Sequence, residues 1–278
     1  MLLNCAGKPL DLSRPAVMGV LNLTPDSFSG DGLAGSVEAA CERALALQAA
    51  GAAVIDIGGE STRPGAARVS LDDELARVLP VIERLAPRLA VPISIDTRHA
   101  AVMRAAVGAG AGLINDVAAL REPGTLEAAA ALGVPVIVMH MQGEPGTMQQ
   151  APHYEDVVGE VAAFLSQRVA ACEQAGICKD RVLVDPGFGF GKTVEHNLAL
   201  LRGLPVLRQQ GFPLVVGLSR KSLIGAVTGA PVTARLGGSI ALALAAAARG
   251  ARLLRVHDVE ATVQALAMHS AVQGEGNG

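Results

Sequence analysis

The sequence predicts an α/β fold: a single-domain (β/α)8 barrel spanning residues 1–278, of the TIM type. Three observations predict it. Half of the 278 residues are hydrophobic and 18% are charged, which is enough apolar material for one large core and too little charge for a disordered chain. Eight strand-length apolar runs alternate with Ala/Leu-rich stretches, a better match to a closed barrel than to an open doubly wound sheet. Nearly every run ends in a polar or charged residue, and in a barrel those ends converge on one face.

The elements follow in order. Residues before Pro15 (MLLNCAGKPLDLSR) read as a short N-terminal hairpin over the barrel bottom. The strands are VMGVLNL (17–23), AVIDIG (53–58), PISID (92–96), LIND (113–116), PVIVMH (135–140), RVLVD (181–185), LVVGL (214–218) and LLRVH (253–257). Each is bounded by Gly, Pro, Asp or Asn, and none alternates strictly, as expected of parallel strands covered on both faces. Helices are expected near 36–50, 72–86, 99–109, 125–132, 155–175, 194–202, 233–248 and 259–272, from their Ala, Leu, Glu, Arg and Gln content. Gly51, Gly133, Gly176 and Gly250 follow last apolar turns, where a C-terminal glycine belongs. The tail GEGNG (274–278) is expected to fray.

Composition excludes several classes. A formal charge of −3 gives no electrostatic case for nucleic acid, and with no Trp, one Tyr and five Phe there is no stacking platform for single strands. Cys5, Cys41, Cys172 and Cys178 form no CxxC pair and suit the reduced thiols of a cytosol. The N-terminal stretch carries Lys8, Asp11 and Arg14 early, unlike a signal peptide, and the most lipid-like stretch, between Arg235 and Arg249, is too short to span a membrane. The expectation is a cytoplasmic protein that contacts neither membrane nor nucleic acid.

The polar strand ends are Asn22, Asp56 followed by Glu60, Asp96, Asn115 with Asp116, His140, Asp185, Ser219 to Lys221, and His257. Taken singly, an Asp or Asn after a strand often caps the next helix; eight such ends together mark an active face. GFGFGKT (187–193) only imitates a phosphate loop, because GxxxxGK[ST] requires Gly where Pro186 stands and GxGxxG requires Gly where Lys192 stands. The scattered His residues make no HExxH, and no GxSxG elbow is present. Phe28, Phe188 and Phe190 sit in Gly-rich loops, which predicts flat ligand surfaces there.

In order along the chain, GVLNLTPDSFSGDG (19–32), DIGGESTRPGA (56–66), SIDT (94–97), IND (114–116), MHMQG (139–143), DPGFGFGK (185–192), GLSRKS (217–222) and RVHDV (255–259) together resemble the bacterial dihydropteroate synthase family. The resemblance implies a transferase of folate biosynthesis that joins para-aminobenzoate to a 6-hydroxymethyl-7,8-dihydropterin diphosphate, releasing pyrophosphate. It puts the pterin pocket on Asp96, Asn115, Asp185 and Lys221, with Met139, Phe190 and Gly217 as walls. It puts diphosphate on Asn22, Arg255 and His257, with Mg2+ on Asn22, and para-aminobenzoate on Phe28, Thr62, Arg63, Pro64 and Ser222. The catalytic set it implies is Asp96, Lys221, Arg255 and His257. The chemistry agrees: pterin donors need fixed acceptors, the diphosphate needs cations after strands seven and eight, and Mg2+ takes oxygen ligands while keeping waters. A dissociative displacement is implied, with no general base. The first loop reads SFSGDG where the family form is SFSDGG, so Asp31 stays outside the catalytic set. The resemblance also implies a homodimer; the stretch SIALALAAAA (239–248) could pack against a second copy or only on the barrel. Unmodified TPDSF and STRPG motifs imply sulfonamide sensitivity. A pterin-dependent methyl-transfer domain would not need GESTRPG or SRKS, and a silent pterin-binding paralogue would be expected to lose Asn22, Lys221, Arg255 or His257.

Overall fold

The structure is a computed structural model that describes residues 1–23, 37–61, 69–143 and 146–274. Strands β1 (Leu2–Cys5) and β2 (Lys8–Asp11) pair antiparallel, with Leu3 opposite Leu10. The chain then runs through β3 (Ala16–Asn22), α1 (Val37–Ala49), β4 (Val54–Gly58), α2 (Leu71–Leu85), β5 (Ile93–Asp96), α3 (Ala100–Gly108), β6 (Leu113–Asp116) and α4 (Thr125–Leu132). It continues with β7 (Val136–Met139), α5 (Val157–Gln174), β8 (Val182–Asp185), α6 (Val194–Arg202), α7 (Leu204–Arg208), β9 (Leu214–Val216), α8 (Ser222–Thr228), α9 (Leu236–Ala248), β10 (Ala251–Val256) and α10 (Val259–Val272). The parallel strands β3 to β10 close into a barrel when β10 pairs with β3.

The eight expected strands and helices are therefore present. The last strand begins at Ala251, ahead of the apolar run that marks it, and the helix expected from 233 begins at Leu236 after a 3-10 turn at Val232–Ala234. Two short helices go beyond the sequence expectation. In α7 the breakers Gly203 and Pro205 mask a restart, since Pro is tolerated in a first helical turn. In α8 seven residues are too few for a legible period.

Two cores form because strand side chains alternate. Outward residues such as Val17, Ile55, Ile95, Ile114 and Val184 pack with the helices in the larger cluster. Inward residues near the strand starts, Met18, Val54, Leu113, Ile137, Leu183, Val215 and Leu253, form a second cluster with Leu3, Cys5, Leu10 and Leu12 of the hairpin. The hairpin thus plugs the bottom of the barrel. It is seated tightly: a side chain at Gly112 would put Cβ 2.3 Å from the Cys5 carbonyl oxygen, and Lys8 Nζ donates to the Ala86 and Leu89 carbonyls at 2.8 Å. Helix starts are fixed locally as well: Ser70 Oγ accepts the Asp73 N–H at 3.1 Å, and Thr193 and His196 form a reciprocal capping box. All four cysteines are free thiols, with Cys5, Cys41 and Cys172 buried. Among the described residues no helix is long and apolar enough to cross a membrane.

Candidate active site

Two residues beyond the inner apolar layer, the same alternation turns a second ring of side chains inward at the C-terminal ends of the strands. Val54 leads to Asp56, Leu113 to Asn115, Ile137 to Met139, Leu183 to Asp185, Val215 to Gly217 and Leu253 to Arg255. On β5 the pair is Ser94 and Asp96, and Asn22 stands at the end of β3, in register with Gly58, which in turn lies beside Asp96. The polar ring is therefore what period two makes of the sequence. Residues out of that phase have other duties. Asp116 accepts the Ala118 and Leu120 N–H groups at 2.7 and 2.8 Å and shapes the loop after β6. His140 lies edge-on to Phe164 at 4.9 Å between ring centres.

One half of the ring is an ion-pair network. Arg255 Nε donates to Asp56 Oδ2 at 2.6 Å and Nη2 donates to Asp96 Oδ2 at 2.8 Å. Asn115 Nδ2 donates to Asp56 Oδ2 at 3.3 Å. Burial works to lower the pKa of Arg255, but the Asp56 and Asp96 carboxylates overcome it and the net shift is upward. Burial raises the pKa of Asp96, and the Arg255 charge opposes it without cancelling it.

The other half gathers around Lys221, which follows β9. Its Nζ donates to the Phe188 carbonyl and lies 4.6 Å from the centre of the Phe190 ring. Burial pushes this ammonium down to about 8, against the opposing charge of Asp185. Burial raises Asp185 in turn, with Lys221 and the Gly187 N–H, which donates to its Oδ1 at 2.7 Å, pulling the other way. Phe190 packs against Val117, Met139, Met141 and Met148. A Cβ on Gly217 would meet Arg255 only at 3.8 Å, so this glycine leaves room in the mouth rather than avoiding a clash.

His257 stands just past β10, its Nδ1 3.1 Å from Ser219 Oγ, which also accepts the His257 N–H at 3.2 Å. Ser222 opens α8 and is exposed. The sequence-derived residues Asn22, Asp96, Asn115, Met139, Asp185, Phe190, Gly217, Lys221, Ser222, Arg255 and His257 thus share one end of the barrel. Phe28, Asp31, Thr62, Arg63 and Pro64 lie outside the described residues. Near the latter segment, Glu60 is bound by Arg98 at 3.0 and 3.1 Å and accepts the Val69 N–H at 3.3 Å.

Two corrections concern the sequence reading. Phe188 is no ligand surface: it has no exposed area and belongs to the main core, facing away from the mouth. Asp56, which the sequence marks only as a strand end, is central to the site and ties Arg255 to Asn115. A signal for it exists, since Asp56 stands two residues beyond Val54 just as Asn115 stands beyond Leu113.

The family model for pterin binding enzymes matches residues 18–257, from the innermost apolar layer of the barrel to the histidine at its mouth. The fold and the site thus define the class: a barrel enzyme that binds a pterin. Over 266 residues the chain is 52% identical to dihydropteroate synthase of Escherichia coli strain K12, covering 96% of this chain and 94% of that one. Among solved structures, Xanthomonas albilineans dihydropteroate synthase with 4-aminobenzoic acid matches with a TM-score of 0.93 and 56% identity over 98% of both chains. Yersinia pestis dihydropteroate synthase with a sulfonamide drug complex matches with a TM-score of 0.95 and 50% identity, over 99% of this chain and 100% of that one. The chain belongs to the dihydropteroate synthase family. It is a transferase of folate biosynthesis, condensing the (7,8-dihydropterin-6-yl)methyl diphosphate with para-aminobenzoate to give 7,8-dihydropteroate and pyrophosphate.

Proposed function

We propose that the ring at the barrel mouth divides this reaction among its residues. Asp96, Asn115 and Asp185 present fixed acceptors and an amide to the pterin edge, walled by Met139, Phe190, Gly217 and Lys221. Asn22, Arg255 and His257 take the diphosphate, and Phe28, Thr62, Arg63, Pro64 and Ser222 take para-aminobenzoate. The observation that carries this reading is the convergence of the ring. The Asp56, Asp96 and Asp185 carboxylates and the Asn115 amide share one layer at the barrel mouth with Arg255, which is bonded to two of the carboxylates, and Lys221 stands beside Asp185 and Phe190 after β9.

The donor set fits magnesium brought in on the diphosphate. Among the described residues no three His, Cys, Asp or Glu side chains converge as a cage, and Mg2+ is commonly held by few protein oxygens together with substrate oxygens and water. Asn22 is the protein ligand in this reading. When bound, the ion supplies Lewis-acid stabilisation to the leaving diphosphate.

The displacement is dissociative. The carbon–oxygen bond breaks, its electron pair leaves with the diphosphate, and the dihydropterin ring delocalises the methylene cation. Asp96 stabilises that positive charge while Lys221, Arg255 and His257 stabilise the departing anion. The arylamine lone pair then forms the carbon–nitrogen bond and the nitrogen releases its proton to water. In this reading the enzyme works in the cytoplasm and forms a homodimer, and exposed Val227, Leu236, Met268 and Val272 on α8, α9 and α10 support the association of two copies. It is sensitive to sulfonamides, as its intact TPDSF and STRPG motifs support.

The experiment is pyrophosphate release on mixing protein, pterin diphosphate and para-aminobenzoate; activity that persists without either substrate would overturn the reading. For the pocket, Asp185→Asn replaces an acceptor-only group by one that also presents donors. It should lose at least about 2 kcal/mol of pterin affinity, the scale of a buried hydrogen bond to a charged group. Unchanged affinity by calorimetry removes Asp185 from the pocket.

A further inference from the structure

The residue Lys192 completes the phosphate-loop imitation in the sequence, yet it holds no phosphate position: it is only 3% exposed, and a lysine so deeply buried needs partners. Its Nζ has three, His140 Nδ1 at 2.9 Å, the Gly187 carbonyl at 2.9 Å and the Phe190 carbonyl at 3.1 Å. Three acceptors match the three N–H bonds of an ammonium and exceed the two of a neutral amine. Burial pushes Lys192 down to about 7, with Asp185 opposing, and burial together with the Lys192 charge holds His140 down to about 3, neutral and able to accept.

The turn at 187–191 is built by side chains. Gly187 O and Phe190 O accept from Lys192, Phe188 O from Lys221, Gly189 O from Gln149 and Gly191 O from Tyr154. Lys192 is the partner that takes two of the five carbonyls, one at each end of the segment bearing Phe188 and Phe190. The turn also lies flush on the segment that follows β7: a Cβ on Gly187 would fall 1.8 Å from His140 O, and one on Gly191 would fall 2.5 Å from Gln142 O.

We propose that Lys192, seated on His140, is a positioning residue for pterin recognition: it clamps the 187–191 turn so that Phe190 stays over Lys221 as one wall of the pocket. The proposal rests on the reading of that pocket as the pterin site. Removing the ammonium orphans the Phe190 carbonyl and leaves the Gly187 carbonyl only the Phe190 N–H at 3.2 Å, and the relaxed turn carries Phe190 and the Phe188 carbonyl away from Lys221. An arginine keeps the charge, but its planar fork does not converge on three acceptors around one point.

The test compares Lys192→Met and Lys192→Arg with the parent, using the pterin diphosphate and para-aminobenzoate as probes. Both variants should raise the pterin KM by about tenfold or more, the scale of a buried carbonyl left unpaired, while the para-aminobenzoate KM stays at the parent value. A merely structural role would lower the active fraction, and so the apparent kcat, at unchanged pterin KM; that outcome overturns the proposal. Should neither variant fold, His140→Leu and His140→Gln decide, because Gln restores an acceptor for Lys192. Leu should raise the pterin KM and Gln should recover it, and equal values for the two would overturn the clamp. A parent protein that binds no pterin would sink the site reading itself, whereas a pterin-binding parent with unaffected variants sinks the clamp alone.

Discussion

Lys221 and Arg255 are both cations in the mouth, but their surroundings set them apart. Arg255 has two carboxylates at 2.6 and 2.8 Å and keeps its charge at any working pH. Lys221 lacks such a pair, and burial brings it to about 8. The sign follows directly: below that value it is charged, and as the pH rises through it the charge facing the Phe190 ring is lost. The kcat/KM for the pterin diphosphate should therefore fall on the alkaline side from about pH 8, and Lys221→Arg should move that limb out of range because the guanidinium stays protonated. A pH profile in which the arginine variant keeps the parent's alkaline limb would assign the limb to another group. Arg255 carries a different consequence. Its charge is already shared by Asp56 and Asp96, so under the proposed assignment a diphosphate on Arg255 would compete with Asp96, and the pterin edge would have to offer Asp96 donors in exchange.

At the scale of elements, the turn after β8 shows most clearly how backbone demands shape the site. Gly187 has φ +69°, and a Cβ there would strike the His140 carbonyl. Gly211 shares the positive φ, +85°, but a Cβ added to it would meet nothing within 4 Å. Gly211→Ala should therefore cost about 1–2 kcal/mol of stability from backbone strain alone, whereas Gly187→Ala should cost more and also weaken pterin binding. Denaturant titration of both variants checks this; equal losses would mean that the contact with His140 yields easily. These elements also show what the sequence makes legible. The eight strands and helices follow from apolar runs, helix-favouring composition and glycine stops, and the polar ring follows from strand ends. Asp56 is harder to weigh from sequence because its two hydrogen-bond partners come from β6 and β10, far along the chain. Phe188 misleads because its loop reads like that of Phe190, and only the turn's folding sends one ring into the core and the other to the mouth. Lys192 gives a signal of the wrong kind, a near-match to a phosphate motif, whereas two of its three partners are carbonyls of its own turn.

For the whole molecule, the hairpin sits at the end of the barrel opposite the polar ring. Leu10 is 1% exposed within the basal cluster, so Leu10→Ala should destabilise the protein by about 2–5 kcal/mol, the range for a buried leucine truncated in a core. Substrate KM values should remain those of the parent, because the polar ring stands above that layer. Thermal unfolding and steady-state kinetics on one preparation check both halves; a changed pterin KM would show that the base of the barrel shapes the mouth.

The plug has a consequence for traffic. With its base closed by Leu3, Cys5, Leu10 and Leu12, the barrel is a cul-de-sac, and everything enters and departs by one door. The guest seated at the far end must arrive before its neighbour and cannot leave past it. Given a pterin at the level of Asp185 and Asn115, the arylamine follows it in, and the finished molecule withdraws with its pterin end last. Dihydropteroate should accordingly inhibit in competition with the pterin diphosphate, and raising para-aminobenzoate should not relieve that inhibition. Product-inhibition patterns in which the arylamine alone displaces the product would mean that the deep seat is vacated independently, as no dead-end street allows.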